Sequence, residues 1–541
     1  MSSTPSSDSN ADPSPTGKGL VRQARAAAVI DIGTTSIRMA IAEIDNLGGV
    51  RKLESLSQAV SLGKDTFTQG AITKATIEDC VRVLRSYRRI LEEYRVVSSD
   101  QIRVVATSAV REARNRLAFL DRVHIATGMD VQPLDEAEVN RITYLGIQPF
   151  LQSEPSLVAS RVMVVEVGGG STEMLLVRDA HVTFAHTYRL GSLRLRKMLE
   201  NFRTPQRKVR EIMETHVRRT VEQVREQLAP LAQGLDIELI ALGGDMRFAA
   251  ARILPEWTPG TLARVPVPLL ERFTDGILRL SDDDIVRQYH TTFPEAETAG
   301  PALLAYVLLA QVFERPHVLV TNTNLRDGLL KEMAVGHRWN REFSNQIIRS
   351  ALDLGRVFNC DEAHARHVAE MAKSLFHDLR GEHKLEPRHE VILYVAALLH
   401  EIGLFINVRS HHKHAMYIIK NSELFGLSRK DLLLVALTAR YHRRASPQPL
   451  HEGYALLDRE DRVAVAKMAA MLRVAVALDE SRSQRVKGFR CHAENGSLVL
   501  HVPGVEDLSL EQLAIRQSGT LFEEVFGMPA QLRAVRDTPK G

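Results

Sequence analysis

Cysteine is scarce: Cys80, Cys360 and Cys491 are the only three in 541 residues, and no two stand at metal-ligand spacing. That excludes a disulfide framework and a thiolate zinc site, and it fits a reducing cytoplasm. Long apolar runs are missing too. None reaches the roughly twenty residues needed to cross a bilayer, so no membrane association is expected. The stretch "MSSTPSSDSNADPSPTGKGLVRQARA" lacks the apolar centre of a secretory signal, and its serine and proline predict a disordered cytoplasmic tail over residues 1–26. Nor is there a strong charge of either sign. A formal net charge of +4 and a pI of about 8.9 tolerate a polyanionic ligand without indicating a nucleic-acid binder.

What is present is an ordinary globular composition, 44% apolar and 25% charged. The chain is too long for one core, and domain sizes suggest roughly three or four units. "VVEVGGGSTEMLLV", residues 164–177, sets Gly168, Gly169 and Gly170 between two strand-like runs. A hairpin needs φ > 0 only at its tip, so one or two glycines would serve. Bare backbone beside hydroxyls and carboxylates also suits a phosphate with a metal ion. The stretch alone leaves both readings open.

"AAVIDIGTTSIRMAIAEI" has the same strand, polar turn and strand, and "IELIALGGDMR" adds a third strand, glycine and polar plan. Strands alternate with helical patterns such as "TIEDCVRVLRSYRRILEEY" and "RKVREIMETHVRRTVEQVREQLAPLAQG", which is the mark of an α/β fold. The repeated plan suggests two duplicated halves, 27–150 and 151–335, with a ligand between them. From residue 336 to 485 the pattern is nearly continuous helix, including "RHEVILYVAALLHEIGLFI", and it is rich in histidine. Residues 486–541 read as hairpin, helix and strand, with "ENG" as the hairpin turn.

"DIGTTSIRMAIAE", "ATSAVREARNRLAFL", "EVGGGSTEM", "LGSLRL", "ALGGDMR" and "NLRDGLL" follow the order and nearly the spelling of the exopolyphosphatase and guanosine pentaphosphate phosphohydrolase family, which this chain resembles after residue 26. "AALLHEIG", "HHKHAMYIIKNS" and "ARYHRR" resemble that family's HD-type helical extension. The resemblance implies a duplicated actin-like fold of the sugar kinase, Hsp70 and actin type, then an all-α HD-like domain and a small α+β tail. It implies a phosphate chain held by Asp31, Gly33, Thr34, Thr35 and Ser36 in one loop, by Gly168, Gly169, Gly170 and Ser171 in the other, and by Arg111. Guanidinium geometry suits that last role. Asp31, Glu166 and Glu173 would surround Mg²⁺, directly or through its waters.

The sequence also departs from the family. Aligned without gaps, "DEAEVNRITYLG" places the family's catalytic glutamate on Val139. The expected substitutes are Glu138, Glu136 or Glu173, against a plain helix N-terminal role for the first two. Glu166 stands where aspartate is usual. In the helical domain the resemblance places HD-type metal positions on His364, on His400 with Glu401 in place of aspartate, and on His414, while the later aspartate falls on Val476 with Asp479 one turn on. Those losses argue against a working metal centre there. The alternative is a basic face of His411, His412, Lys413, His414, Arg440, His442, Arg443 and Arg444 that guides a polyanion.

The leading expectation is a Mg²⁺-dependent exopolyphosphatase, weakened by the departures at Val139, Glu166 and Val476, acting as a homodimer without nucleic acid. Its alternatives are a guanosine pentaphosphate phosphohydrolase and a catalytically impaired sensor of polyphosphate or guanosine tetraphosphate. A sugar kinase would share the fold but need an aspartate base and an ATP site.

Overall fold

β-Branched and aliphatic runs broken by polar turns produce two sheets of matching topology. The computed structural model describes residues 24–158, 160–201, 206–229, 237–258, 260–335, 341–443, 445–494 and 496–535. Most of the expected N-terminal tail, together with Arg444 and Asn495 of the "ENG" turn, lies outside those residues.

The first sheet contains β1 (Arg25–Ile32), β2 (Ser36–Ile44), β3 (Val50–Ala59), β4 (Ile102–Ala106) and β5 (Val131–Pro133), in the order β3-β2-β1-β4-β5. The second contains β6 (Arg161–Val167), β7 (Thr172–Arg178), β8 (His181–Tyr188), β9 (Ile237–Leu242), β10 (Ala263–Pro266) and β11 (His317–Val320), in the order β10-β11-β9-β6-β7-β8. Read from β8 to β11, the second sheet repeats the first: three antiparallel strands, then two parallel neighbours. β10 adds an antiparallel edge. The repetition puts β1–β2 and β6–β7, the two glycine hairpins, at equivalent places.

The helix Leu325–Val335 follows the second sheet in sequence but returns to the first. Leu325, Leu329 and Leu330 bury against Val29, Ala40, Val105, Val139 and Ile142. Gly328 permits this, because a Cβ there would stand 2.1 Å from the Ile142 carbonyl oxygen in the helix Glu136–Ser153. A buried ionic group reinforces the seam: Arg141 lies 2.8 Å from Glu332, which Arg103 also contacts.

The helical region begins with Arg341–Val357 and Glu362–Asp378 and packs around one apolar core. One expected continuous helix is broken. "RHEVILYVAALLHEIGLFI" is helical only over Arg388–Leu399, then turns through a short 3₁₀ segment, Ile402–Phe405. At Gly403 a Cβ would meet the His411 carbonyl oxygen at 2.0 Å and the Ala415 nitrogen at 2.5 Å, so the next helix, His411–Lys420, crosses directly over the break. The C-terminal sheet pairs β12 (Arg490–Glu494), β13 (Ser497–Pro503) and β14 (Ala530–Val535) in that order, with β14 parallel to β13. Two helices, Ser509–Ser518 and Thr520–Phe526, stand where one was expected. Among the described residues no helix is long and apolar enough to cross a membrane.

Candidate active site

The duplicated hairpins have the same local chemistry. Gly33 N–H donates to the Ser36 carbonyl at 3.0 Å, and Gly168 N–H donates to the Ser171 carbonyl at 2.8 Å. Asp31 and Glu166 therefore occupy equivalent positions, each two residues before its glycine. The loop carbonyls are engaged away from one another: Gly63 and Val60 donate to Thr34 and Thr35, while Ser192, Leu193 and Arg194 donate to Gly168 and Gly169. Hydroxyls and charged side chains dominate what remains between the loops.

The glycines serve close approach and not a left-handed turn. None of Gly33, Gly168, Gly169 and Gly170 has a φ in the positive region, so a side chain at Gly169 would not be strained by its φ. The obstacle is Thr34 of the opposite loop, whose Cβ and Cγ2 would lie 2.9 Å from a Cβ at Gly169. A Cβ at Gly170 would meet Ser108 and Phe67 at 2.5 Å. Gly169→Val should wedge the loops apart and weaken phosphate-chain binding about 5- to 160-fold, through overpacking of order 1–3 kcal/mol. Calorimetric titration with polyphosphate checks this, and normal affinity would reduce the triple glycine to a turn.

The hairpins border a cleft of about 300 Å³. Asp31, Glu166, Glu173 and Asp245 supply carboxylates to it, and Arg38 and Arg111 supply cations. Burial pushes the Asp31 and Glu166 carboxyls up, although Arg326 and Arg247 respectively oppose this. Burial raises Glu173 to about 7, against the hydrogen bond that Ser171 Oγ donates to its Oε1 at 2.6 Å. Burial also raises Asp245 to about 6, against the Thr298 hydroxyl at 3.3 Å. So many carboxylates in one desolvated cleft favour a cation among them. Asp31 Oδ1 is buried with no hydrogen-bond partner in the protein, while its Oδ2 receives Arg326 at 3.4 Å.

Arg111 stands on the short helix Ser108–Glu112 and donates to the Leu134 carbonyl at 2.9 Å, which holds its guanidinium at the cleft wall. Val139 lines the cleft. Glu138 is not brought there. It is the third residue of the helix Glu136–Ser153 and closes a capping box: Asp135 accepts from its N–H at 2.8 Å, and its Oε2 accepts from the Asp135 N–H at 3.3 Å. Gln132 holds the other oxygen at 3.3 Å. Glu136 is turned to the helical domain, 3.3 Å from Arg429. One residue along a helix rotates a side chain by about 100°, which separates Val139 from Glu138. Glu138→Gln should leave orthophosphate release within about twofold of wild type and destabilise by about 0.5–2 kcal/mol through the weakened cap. Steady-state rates and a thermal melt test this; a large fall in kcat would return Glu138 to the chemistry.

Sequence reasoning missed Arg38, Arg247, Arg326 and Glu295. Arg38 faces Asp31 in the β1–β2 register and interrupts an otherwise apolar strand, a signal that was available. Arg326 reaches Asp31 only because the helix Leu325–Val335 returns to the first sheet.

In the helical domain His364, His400 and Glu401 bring one ligand atom each to within 4.8 Å of one another, the only such group of three among the described residues. Asp31, Glu166 and Glu173 do not meet that distance. His414 is not brought to the histidine cluster. His411, three residues earlier, lines that cavity with His442. Both are buried, which removes them from the expected basic face. Val476 also lines the cavity, and Asp479 accepts from His364 Nδ1 at 2.8 Å.

Known proteins match along nearly the whole chain. The sequence profile described as "Ppx/GppA phosphatase family" matches residues 29–337, and that of "Ppx/GppA phosphatase, domain III" matches residues 348–513. The guanosine-5'-triphosphate,3'-diphosphate pyrophosphatase of Aeromonas hydrophila is 25% identical over 520 residues, covering 93% of this chain and 98% of its own. That of Vibrio atlanticus is 23% identical over 490 residues, covering 87% and 91%. The crystal structure of an exopolyphosphatase from Cytophaga hutchinsonii superposes with a TM-score of 0.52 at 21% identity, covering 58% of this chain and 98% of that one. With the duplicated sheets this establishes the actin-like fold of the first two halves. The chain belongs to the Ppx/GppA phosphatase family, whose members are phosphoanhydride hydrolases.

Proposed function

We propose that this chain releases terminal orthophosphate from inorganic polyphosphate, with Mg²⁺, and does so slowly. The observation that carries the reading is the pair of equivalent hairpins, which set Asp31 and Glu166 and two loops of hydroxyls around one cleft beside Arg111 and Arg38. The terminal phosphate would lie between the loops, with the Ser36 and Thr34 hydroxyls as donors and Arg111 across two phosphate oxygens. Glu173 would orient a water in line with the bridging oxygen and accept its proton. The water oxygen then bonds to phosphorus, the bond to the bridging oxygen breaks, and the shortened chain leaves with the electron pair. Asp31, Glu166 and Glu173 fit a hard cation with retained waters, since Asp31 Oδ1 has no protein partner. Mg²⁺ there would neutralise charge on the phosphate oxygens. Val139 leaves the wall beside them without a second carboxylate, which is the reason for a slow reaction.

Guanosine pentaphosphate is the second reading. Two observations favour it: Phe248 and Ile285 line the cleft beyond Gly243 and Gly244, an apolar surface for a base, and the long curated relatives carry guanosine-nucleotide names. Orthophosphate release from each substrate, with and without Mg²⁺, separates the two. Faster release per active site from polyphosphate supports the first reading, and faster release from the nucleotide supports the second. Tight binding of both with no release above the uncatalysed rate would contradict hydrolysis altogether.

A further inference from the structure

Arg194, in "LGSLRL", is bonded to both halves of the molecule at once. It lies on the helix Ser192–Asn201 of the second half, whose first residues brace the triple-glycine loop. Ser192 N–H donates to the Gly168 carbonyl at 2.9 Å, and the N–H groups of Leu193 and Arg194 donate to that of Gly169 at 3.1 Å. Gly191 lets the two backbones meet, since a Cβ there would stand 2.3 Å from the Gly170 carbonyl carbon. The Arg194 side chain adds a bond to the same loop, from Nε to the Gly170 carbonyl at 2.9 Å. Backbone and side chain together therefore fix the loop to Arg194.

Beyond Gly170 the guanidinium crosses to the first half. Its Nη2 lies 2.8 Å from each oxygen of Glu112, and its central carbon stands over the Phe67 ring, 4.3 Å from the ring centre. A planar guanidinium can donate along its edge to a carbonyl and a carboxylate while its face covers an aromatic ring, a combination that lysine lacks. Both partners are well anchored. Glu112 ends the helix Ser108–Glu112, directly after Arg111, and Phe67 stands on the helix Leu62–Gln69. Thr66 Oγ1 ties these two helices together by donating to the Ala109 carbonyl at 3.0 Å. The Arg194 and Glu112 side chains are 24% and 27% exposed, so solvent screens this pair less than the neighbouring contact of Glu112 with Arg189, which is 76% exposed.

The place of the contact decides what it does. The chain passes between the halves through the helices Glu136–Ser153 and Leu325–Val335, which pack on each other at Ile142 and Gly328. Arg194 belongs to neither, so it is a noncovalent bridge beside the cleft, and its partner Glu112 adjoins Arg111. Separating the halves about those two helices must break the Glu112 pair and the Phe67 contact or pull Arg194 from Gly170. We propose that Arg194 is a positioning residue: with Glu112 and Phe67 it latches the halves in the closed arrangement, in which the second glycine loop and Arg111 reach the same phosphate chain. The inference rests on the phosphate-cleft reading for its ligand but not on turnover. A latch stabilises the closed state before ligand arrives, so its loss lowers the binding-competent fraction and weakens apparent affinity in proportion, whereas saturating ligand restores closure.

The test compares full-length wild type with Arg194→Ala, Glu112→Gln and the double variant. Arg196→Ala is the control, because Arg196 pairs with Glu200 and Asp282 inside the second half. Titration with inorganic polyphosphate of defined length should show Arg194→Ala binding at least about fivefold more weakly, the lower end of the range for coupling between sites. The double variant should stay within about twofold of Arg194→Ala, since both changes break one link. Arg196→Ala should bind as wild type does. In steady state the loss should appear in KM, with kcat within about twofold of wild type. Hydrogen exchange without ligand should be faster over residues 108–112 and 168–171 in Arg194→Ala, and polyphosphate should slow it again. Glu112→Gln keeps the side chain's shape and should weaken binding in the same direction, which keeps the test decisive if Arg194→Ala does not fold. Equal affinity or unchanged exchange in the latch variants overturns the proposal, as does an equal loss in Arg196→Ala. A fall in kcat at unchanged KM also overturns it, by giving Arg194 a contact with the reacting phosphate. Failure of hydrolysis itself looks different: wild-type binding without orthophosphate release contradicts the proposed reaction, while the affinity difference still supports the latch.

Discussion

Glu173→Gln is expected to lower kcat for orthophosphate release by about 10² to 10⁴, the range for loss of a positioned general base. Glutamine keeps the length of the side chain and can still accept the hydrogen bond from Ser171 Oγ, so the loop geometry is preserved while the proton acceptor is lost. Glu173 pairs with Glu166 in the β6–β7 register, which would place it beside the same Mg²⁺ in the proposed mechanism. The variant should therefore need more Mg²⁺ for half-maximal rate, while polyphosphate affinity changes little. A Mg²⁺ titration of the steady-state rate at saturating substrate checks both. An unchanged kcat would move the water to another wall of the cleft.

Arg111→Ala is expected to act on binding. Removing a two-pronged cationic contact in a partly desolvated cleft costs roughly 2–4 kcal/mol, about 30- to 900-fold in affinity. The loss should be the same for polyphosphate and guanosine pentaphosphate, since both present phosphate oxygens. The fold should survive: Arg111 contributes one hydrogen bond to Leu134, about 1 kcal/mol. Isothermal titration with each ligand, beside a circular dichroism spectrum, measures the effect. Unchanged affinity in a folded variant would place Arg111 outside the phosphate site.

The glycine hairpins were legible because short-range chemistry determines them: strand, carboxylate, glycine and hydroxyl follow within a few residues. The gap-free alignment put Val139 at the family's catalytic position, and Val139 indeed faces the cleft while Glu138 is spent on its helix cap. What escaped depended on pairings between distant segments. Arg326 meets Asp31 across most of the first two halves, through a helix that doubles back to the first sheet. The choice of His411 over His414 turns on the helix break at His400 and on Gly403, which lets the backbone of the next helix approach. Periodicity read the run through Ile406 as one helix because its apolar pattern continues. The close packing that ends it comes from residues farther on, which a local pattern does not contain.

In the proposed mechanism the cleft between the duplicated hairpins hydrolyses phosphate chains slowly because Val139 stands where a second carboxylate would orient water. Orthophosphate release by Val139→Glu, set against wild type at saturating polyphosphate and Mg²⁺, tests it most directly. The predicted result is a slow but detectable wild-type rate that rises at least about tenfold in the variant, as a second carboxylate shares the orientation of water. A vigorous wild-type enzyme that Val139→Glu cripples would show that Val139 does not limit the reaction.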